Sequence, residues 1–83
     1  MSEGFTPDPA SGYIYMQLAD YLEGQVKDGT LEPGTRLLAE RDLAAEYGVS
    51  LGTARRATEV LRERGIVVTF ASTGTFIARE QKR

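Results

Sequence analysis

Small polar residues and cations follow one another from Ser50 to Arg56, in the order Ser-Leu-Gly-Thr-Ala-Arg-Arg. Hydroxyl groups and the free N–H groups at a helix N-terminus donate hydrogen bonds to phosphate oxygens, and the helix dipole favours negative charge there. Arginine adds a charged, forked donor for phosphates and base edges, and glycine lets a backbone come close to another surface. This spacing predicts a nucleic-acid contact at the front of a helix.

The residues of this segment differ in their expected direction. Ser50, Gly52 and Thr53 form the small polar front, and Arg55 lies one turn further along beside it. Arg56 lies about 100° further round the helix and is also a predicted DNA contact. We therefore expect Thr53 and Arg55 to face DNA.

Two further arginines, Arg62 and Arg64, lie near the far end of the same predicted helix. Helix ends far from the turn usually leave the groove. We interpret both as solvent-facing charges that pair with Glu59 and Glu63 on their own helix.

The composition argues against most catalytic chemistry. A chain of 83 residues forms one small domain, and it contains neither cysteine nor histidine. Disulfides, zinc–thiolate sites and histidine bases are therefore excluded. Glu40, Asp42 and Glu46 are left as a possible carboxylate group, which we interpret as solvent-facing charges that complement a helix dipole. We expect no enzyme, no metal and no cofactor.

The charge distribution is uneven along the chain. Residues 1–34 contain six acids and one base, a balance of −5, whereas residues 35–83 contain nine bases and six acids, a balance of +3. We expect the basic half to face DNA and the acidic half to face away. No apolar run reaches membrane-spanning length and no signal peptide is evident, so we expect a soluble, cytoplasmic protein without membrane contact.

Hydrophobic periodicity places these residues on defined elements. Residues 1–12 lack periodicity and predict a flexible arm, 13–79 a folded domain, and 80–83 a tail. Three helices are predicted, with a short extended piece at 35–38 between the first two, and Ala39 and Ser50 are the predicted N-caps of the second and third. Their apolar stripes are Ile14, Leu18, Tyr21, Leu22 and Val26; Leu43, Ala44 and Tyr47; and Ala54, Ala57, Val60 and Leu61.

The spacing of apolar residues changes after Gly65. The segments Ile-Val-Val-Thr-Phe-Ala and Thr-Phe-Ile-Ala-Arg predict two strands, with Ser-Thr-Gly as a hairpin turn. Two short helices joined by a Gly-containing turn form a helix-turn-helix, whose second helix enters the major groove. The predicted fold class is therefore mostly α with a small β-hairpin, a winged helix-turn-helix.

Four segments together resemble the N-terminal DNA-binding domain of GntR-type transcriptional regulators. They read GTLEPGTRL, LLAERDLA, GVSLGTARRA and STGTFIA, and the resemblance runs in order from about Tyr13 to Ala78. It implies a winged helix-turn-helix that binds double-stranded DNA. The DNA contacts that it implies are phosphate contacts from Arg41, Ser50, Thr53 and Arg55, a close approach at Gly52, and minor-groove contacts from Ser72, Thr73 and Gly74 at the tip of the wing.

Departures from the family pattern concern the same surfaces. Leu51 stands where the family usually has a base-reading arginine, and leucine cannot make the bidentate guanine contact, though it can touch a thymine methyl. Ser72 and Thr73 replace a glycine and the arginine after it, and Ala39 replaces a capping serine. The resemblance therefore implies weaker DNA binding or an altered sequence preference.

The function that we expect is sequence-specific transcriptional regulation. We expect a repressor that binds an inverted repeat as a homodimer, at least on DNA. No small-molecule effector is evident, and both a complete chain and a fragment stay open. The alternative is a protein-interaction module of the same fold, in which exposed Leu51, Val68 and Phe70 are the anchors.

The aromatic residues are expected to pack in the core or at its edge. Tyr15 has a second interpretation, because its hydroxyl can donate to a phosphate. The aromatic residues concerned are Tyr13, Tyr15, Tyr21, Tyr47, Phe70 and Phe76.

Overall fold

The computed structural model describes residues 4–79, so the predicted tail at 80–83 and the first three residues of the predicted arm lie outside the described residues. The predicted class is confirmed, since three helices are followed by an antiparallel hairpin. No helix in the described range is long and apolar enough to cross a membrane. The elements are a 3₁₀ turn at Pro9–Ser11, α1 at Ile14–Lys27, α2 at Glu40–Tyr47, α3 at Leu51–Glu63, β1 at Val67–Phe70 and β2 at Gly74–Ile77.

The core lies between the apolar stripes of the three helices and the inner face of the hairpin. Residues three and four apart share one helix face, so the middle of each predicted stripe is buried. Ile14, Tyr21, Val26 and Tyr47 are half-buried. The one polar residue that the described part of the core buries is Thr58, whose hydroxyl donates to the Ala54 carbonyl at 2.9 Å. The buried apolar cluster consists of Leu18, Ala19, Leu22, Leu37, Leu43, Ala44, Ala54, Ala57, Val60, Leu61, Ile66, Val67 and Ile77.

The wing is tied to the segment that precedes α2. In the hairpin, Val67 lies opposite Ile77, and Phe70 lies opposite Gly74. The predicted extended piece runs along the other edge of β2, where the Leu37 N–H donates to the Thr75 carbonyl and the Ile77 N–H donates to the Thr35 carbonyl, each at 2.8 Å. These bonds fix where α2 begins relative to the wing.

Part of the predicted arm contacts the core. The Phe5 ring lies 5.4 Å from the Tyr21 ring and 5.7 Å from the Tyr47 ring, between centroids. Aromatic pairs at such distances add to the stabilisation from buried area. Phe5 therefore covers the side of the core formed by α1 and α2, and the boundary at residue 12 stays a prediction.

The expected core position of the aromatic residues is wrong for two of them. Tyr13 is 74% exposed and Phe70 is 57% exposed. Tyr13 is the residue before α1 and lies off its buried stripe. Side chains alternate between the two faces of a strand, so Phe70 and Val68 lie on the outer face when Val67 is buried.

Candidate nucleic-acid interface

The turn between α2 and α3 positions the predicted site. Gly48 adopts a left-handed conformation, with φ 67° and ψ 36°, which glycine reaches without steric cost. The Val49 N–H then donates to the Ala44 carbonyl at 3.0 Å, and Ser50 begins α3 as the predicted N-cap. This compact turn leaves the first turn of α3 on the surface.

Two hydroxyl groups at the front of α3 are linked to each other. Ser50 Oγ accepts from the Thr53 N–H at 3.0 Å and donates to Thr53 Oγ1 at 3.0 Å. The Ser50 proton is therefore used inside the protein, whereas the Thr53 hydroxyl keeps its own proton for an outside acceptor. Within residues 4–79, the N–H groups of Leu51 and Gly52 have no partner either, as expected at a helix N-terminus.

Leu51 and Gly52 lie between these donors on the exposed front. Leu51 is 40% exposed, so its side chain is available to a partner surface. A Cβ added at Gly52 meets nothing closer than Ser50 Oγ at 3.9 Å. Neither φ nor packing within the protein requires glycine there.

Arg55 is exposed as predicted, but it has a partner that the sequence did not indicate. Its Nε lies 3.2 Å from Glu40 Oε1, across the junction of α3 and α2. Helical spacing cannot reveal a pair 15 residues apart, and Glu40 was interpreted only as a solvent-facing charge. Arg41, the next residue on α2, is exposed and has no ion pair among residues 4–79.

Arg56 is directed to α1 instead of the front of α3. Its guanidinium lies 5.1 Å from the centre of the Tyr15 ring, and its Nη1 lies 3.0 Å from Glu59 Oε1. The hydrogen bond with Glu59 is the main cause that raises the pKa of Arg56. Arg56 stays exposed to solvent while it makes both the ion pair with Glu59 and the cation–π contact with Tyr15. The structure thus separates Arg56 from the Ser50–Arg55 cluster, and its predicted DNA contact stays a prediction.

The expected partners of Arg62 and Arg64 are wrong. Arg62 Nε donates to the Thr69 hydroxyl at 3.1 Å. Arg64 caps α3 and its Nη1 reaches two acids of α1, Asp20 Oδ1 at 2.9 Å and Glu23 Oε1 at 2.7 Å. These partners lie on the wing and on α1, and helical spacing within α3 does not reveal them.

The wing tip holds the other predicted contacts, Ser72, Thr73 and Gly74. Ser72 has φ 68°, the only left-handed non-glycine residue in the described chain. Gly74 has φ 135°, and a Cβ there would lie 2.7 Å from Arg36 Nε. Thr73 is exposed between them and its N–H donates to the Phe70 carbonyl at 3.0 Å. Gly74 therefore has a structural reason to be glycine, apart from any contact with DNA.

Comparison with known proteins relates this arrangement to a family. Residues 14–77 match the bacterial regulatory proteins of the gntR family. SmoD of Agrobacterium fabrum, an HTH-type transcriptional regulator, is 39% identical over 64 residues, or 77% of this chain and 27% of that protein. NagR of Bacillus subtilis, an HTH-type transcriptional repressor, is 35% identical over 66 residues, or 80% of this chain and 27% of that protein.

A solved structure agrees in fold. The DNA-binding domain of AraR in complex with operator ORR3 superposes with a TM-score of 0.70 at 28% identity, over 77% of each chain. The present chain spans about a quarter of the length of the two curated relatives. Because the match covers most of its residues, the chain belongs to the GntR family of DNA-binding transcription regulators, and it has the winged helix-turn-helix fold of that family's DNA-binding domains.

Proposed function

We propose that the chain is a sequence-specific repressor that binds double-stranded DNA as a homodimer on an inverted repeat, in the cytoplasm. One observation supports it most. Donors without an acceptor in the described chain, the Thr53 hydroxyl and the N–H groups of Leu51 and Gly52, lie together at the exposed front of α3. A helix front of this kind suits the major groove, which admits one α-helix.

Phosphate contacts come from the rim of this front. The Thr53 hydroxyl and the first N–H groups of α3 donate to one phosphate, where the helix dipole adds to the attraction. Arg41 on α2 is an exposed guanidinium without an ion pair in residues 4–79, so its charge is available to a second phosphate. Ser50 supports the first contact as the cap that orients Thr53.

Base and minor-groove contacts complete the interface. Leu51 offers an apolar surface for a thymine methyl, and Gly52 allows the helix front to come close to the bases. The wing tip at 72–74 lies in the adjacent minor groove, and Arg56 approaches the backbone beside Tyr15. Arg55 lies with Leu51 on the groove side.

Two copies are needed because one small module buries limited surface on DNA. Half-sites bound by symmetric dimers lie about 34–36 Å apart, one turn of the duplex. The longest dimension of the chain is 33 Å, so two copies fit on adjacent half-sites. A repressor role is supported by the name of the relative NagR, and an operator as the target by the AraR complex. Two bound copies would block polymerase sterically.

The test is selection of the purified chain on a randomised duplex pool at 50 and 200 mM salt, a range over which phosphate-dominated binding weakens strongly. The expected result is a two-fold symmetric motif whose binding weakens as salt is added. Salt-sensitive binding without a motif contradicts the sequence-specific part of the proposal. Absence of binding at both salt concentrations contradicts DNA binding altogether.

A second function, a protein-interaction module, has one observation in its favour. Val68 and Phe70 are exposed on the outer face of the wing, where they line a groove together with Phe76, and Leu51 is exposed on α3. An apolar interface keeps its affinity when salt is added, whereas DNA binding loses it. Retention of a protein partner at high salt, together with loss by Phe70→Ala, would favour this second function.

A further inference from the structure

We propose that Phe70 is an apolar wedge that enters the minor groove and unstacks one base step there, an inference that rests on the proposed DNA binding. The wing tip at 72–74 consists of small residues, and Phe70 adds a large exposed ring next to it. Wedges of this kind kink the duplex. Phe70 therefore gives the chain a preference for base steps that deform easily, in addition to any preference read by hydrogen bonds.

The first argument is the position of the Phe70 ring. Phe70 is the last residue of β1 and lies opposite Gly74, where the turn of the wing ends. The ring is 57% exposed. The half-buried Phe76 ring lies 6.1 Å from it, between centroids, at the distance of an aromatic pair. Phe76 thus supports Phe70 from the protein, while the other side of the Phe70 ring is open to a partner.

The second argument is what borders this ring. Residues directly opposite each other share one face of a sheet, so Val68, Phe76 and Arg36 lie on the same face in one row. Phe70 lies on that face too, two residues along from Val68. A Cβ at Gly74 would lie 2.7 Å from Arg36 Nε, so the guanidinium lies over Gly74 beside the Phe70 position. The apolar face is therefore bordered by a cation close to the wing tip.

A second cation lies along the same face. Phe70, Phe76 and Arg79 line an open groove of about 520 Å³. Arg36 and Arg79 are exposed, and neither has an ion pair within residues 4–79. The sequence from 65 to 79 contains no acid. The wing thus combines an apolar centre with cations whose charge is not neutralised by an ion pair in the described chain.

This combination fits the minor groove better than a protein surface. The groove has phosphates along both edges and stacked bases between them, so it offers anions to the two arginines and apolar base faces to Phe70. An apolar protein surface would match Phe70 and Val68 but would leave both cations without partners. The match of charge and apolar surface together therefore favours DNA as the occupant of this face.

The dimensions of the groove explain why a kink must accompany the contact. The minor groove of B-DNA is about 6 Å wide, too narrow to take up a two-stranded ribbon whose backbones alone lie about 4.8 Å apart. A single ring can enter, and it reaches between two base pairs only when they unstack and the duplex bends toward the major groove. Pyrimidine–purine steps unstack most easily, so the wing should select such a step.

The experiment uses the duplex selected by the wild-type chain. Adenines near the wing are replaced in turn by 2-aminopurine, which fluoresces more strongly when it is unstacked. Energy transfer between dyes at the two ends measures the bend, and fluorescence anisotropy measures Kd. A second duplex carries a stiff A-tract in place of the pyrimidine–purine step.

Four variants separate the wedge from its surroundings. Phe70→Ala removes the ring, whereas Phe70→Leu keeps an apolar wedge. Thr69→Val is the matched control, because its side chain is exposed on the other face of the same strand. Arg36→Gln removes a cation beside the wedge and leaves the ring in place. Thermal melting followed by circular dichroism checks that each variant is folded.

The expected result is unstacking at one pyrimidine–purine step in each half-site, with a bend of about 20–90°. Phe70→Ala loses the fluorescence increase and the bend. Its Kd for the selected duplex rises by about 5-fold or more, the effect of losing one aromatic contact with a base, and its preference over the A-tract duplex is lost. Phe70→Leu retains most of the bend, and Thr69→Val retains all of it. Arg36→Gln weakens binding to both duplexes by the same factor.

Two outcomes overturn the inference. If the wild-type chain binds its motif without unstacking or bending, or if Phe70→Ala keeps both effects, Phe70 is not a wedge. If Phe70→Ala and Val68→Ala keep the bend but lose a protein partner at high salt, the face is a protein-interaction site. In both cases the wild-type motif stands and the proposed function with it, whereas absence of any wild-type motif overturns both.

Discussion

The guanidinium of Arg64 joins the end of α3 to α1 through Glu23, with 2.7 Å between Nη1 and Oε1. The Glu23 side chain is only 13% exposed, and Lys27 Nζ lies 3.1 Å from its other oxygen. Burial alone would raise the pKa of Glu23. Hydrogen bonds from Lys27 and Arg64 outweigh it, so the pKa lies below its ordinary value. This pair links the C-terminal end of α3 to α1.

The pKa of Glu23 is lower in the folded state than in the unfolded state. Its ionised carboxylate therefore adds to the free energy of unfolding at pH values above the unfolded-state pKa, and this stabilisation is lost as the pH falls through the folded-state pKa. We expect Glu23→Gln to lower the free energy of unfolding at pH 7 by about 1.5–3 kcal/mol, the range for a hydrogen bond to a charged group. Urea denaturation at pH 7, 5 and 3 should show a smaller loss with acid for this variant. Glu63→Gln, at an exposed site, is the control. If the free energy of unfolding falls by the same amount between pH 7 and pH 3 in wild type and in Glu23→Gln, Glu23 does not cause the pH dependence.

At the wing tip, Ser72→Gly should stabilise the protein. Ser72 has φ 68°, and a left-handed conformation costs a residue with a Cβ about 1–2 kcal/mol, partly offset by the greater freedom of glycine in the unfolded chain. We expect a net gain of about 0.5–1 kcal/mol in the free energy of unfolding. Thr73→Gly, one residue on and not left-handed, should destabilise the protein, and a gain from both variants would mean that backbone strain is not the cause.

Substitutions at the N-caps of α2 and α3 should change the free energy of unfolding in opposite directions. Ala39 caps α2 without a side-chain bond, whereas Ser50 caps α3 through its hydroxyl. We expect Ala39→Ser to raise the free energy of unfolding by about 1 kcal/mol and Ser50→Ala to lower it by about as much. Urea denaturation of both variants and of the double variant tests this. The two effects should cancel in the double variant, since the caps share no partner.

The elements and the buried stripes could be predicted from the sequence because they depend on local spacing. The helix periodicity, the Gly48 turn and the Ser50 cap all act within a few residues. Contacts between elements could not be predicted in the same way. Arg64 pairs with Glu23, which is 41 residues away in the sequence, and Arg55 pairs with Glu40, which is 15 residues away. The sequence therefore predicts the site as a set of exposed donors, whereas the pairing that determines which donors stay free depends on the fold.

Arg41→Ala should weaken DNA binding because it removes an electrostatic contact with a DNA phosphate. Its guanidinium is exposed and has no ion pair within residues 4–79, so each copy is expected to neutralise one phosphate. We expect the slope of log Kd against log salt to fall by about one for each half-site, with base preference unchanged. Arg62→Ala is the control, because Arg62 is bonded to Thr69 at the far end of α3. Equal slopes for the two variants would place Arg41 away from the backbone.

Gly52→Ala should separate stability from function. No atom outside the neighbouring residues lies closer than 3.9 Å to the added Cβ, and Gly52 has an ordinary helical position in α3. Alanine is the better helix former, so the free energy of unfolding should rise by about 0.5–1 kcal/mol. The added methyl stands at the helix front, however, and should hold the backbone off the DNA, weakening binding roughly tenfold, or about 1.4 kcal/mol. Urea denaturation and anisotropy on the same preparation measure both effects. A variant that is more stable but binds DNA more weakly would show that the DNA contact requires a small residue at position 52. A more stable variant with unchanged DNA affinity would show that Gly52 does not contact DNA.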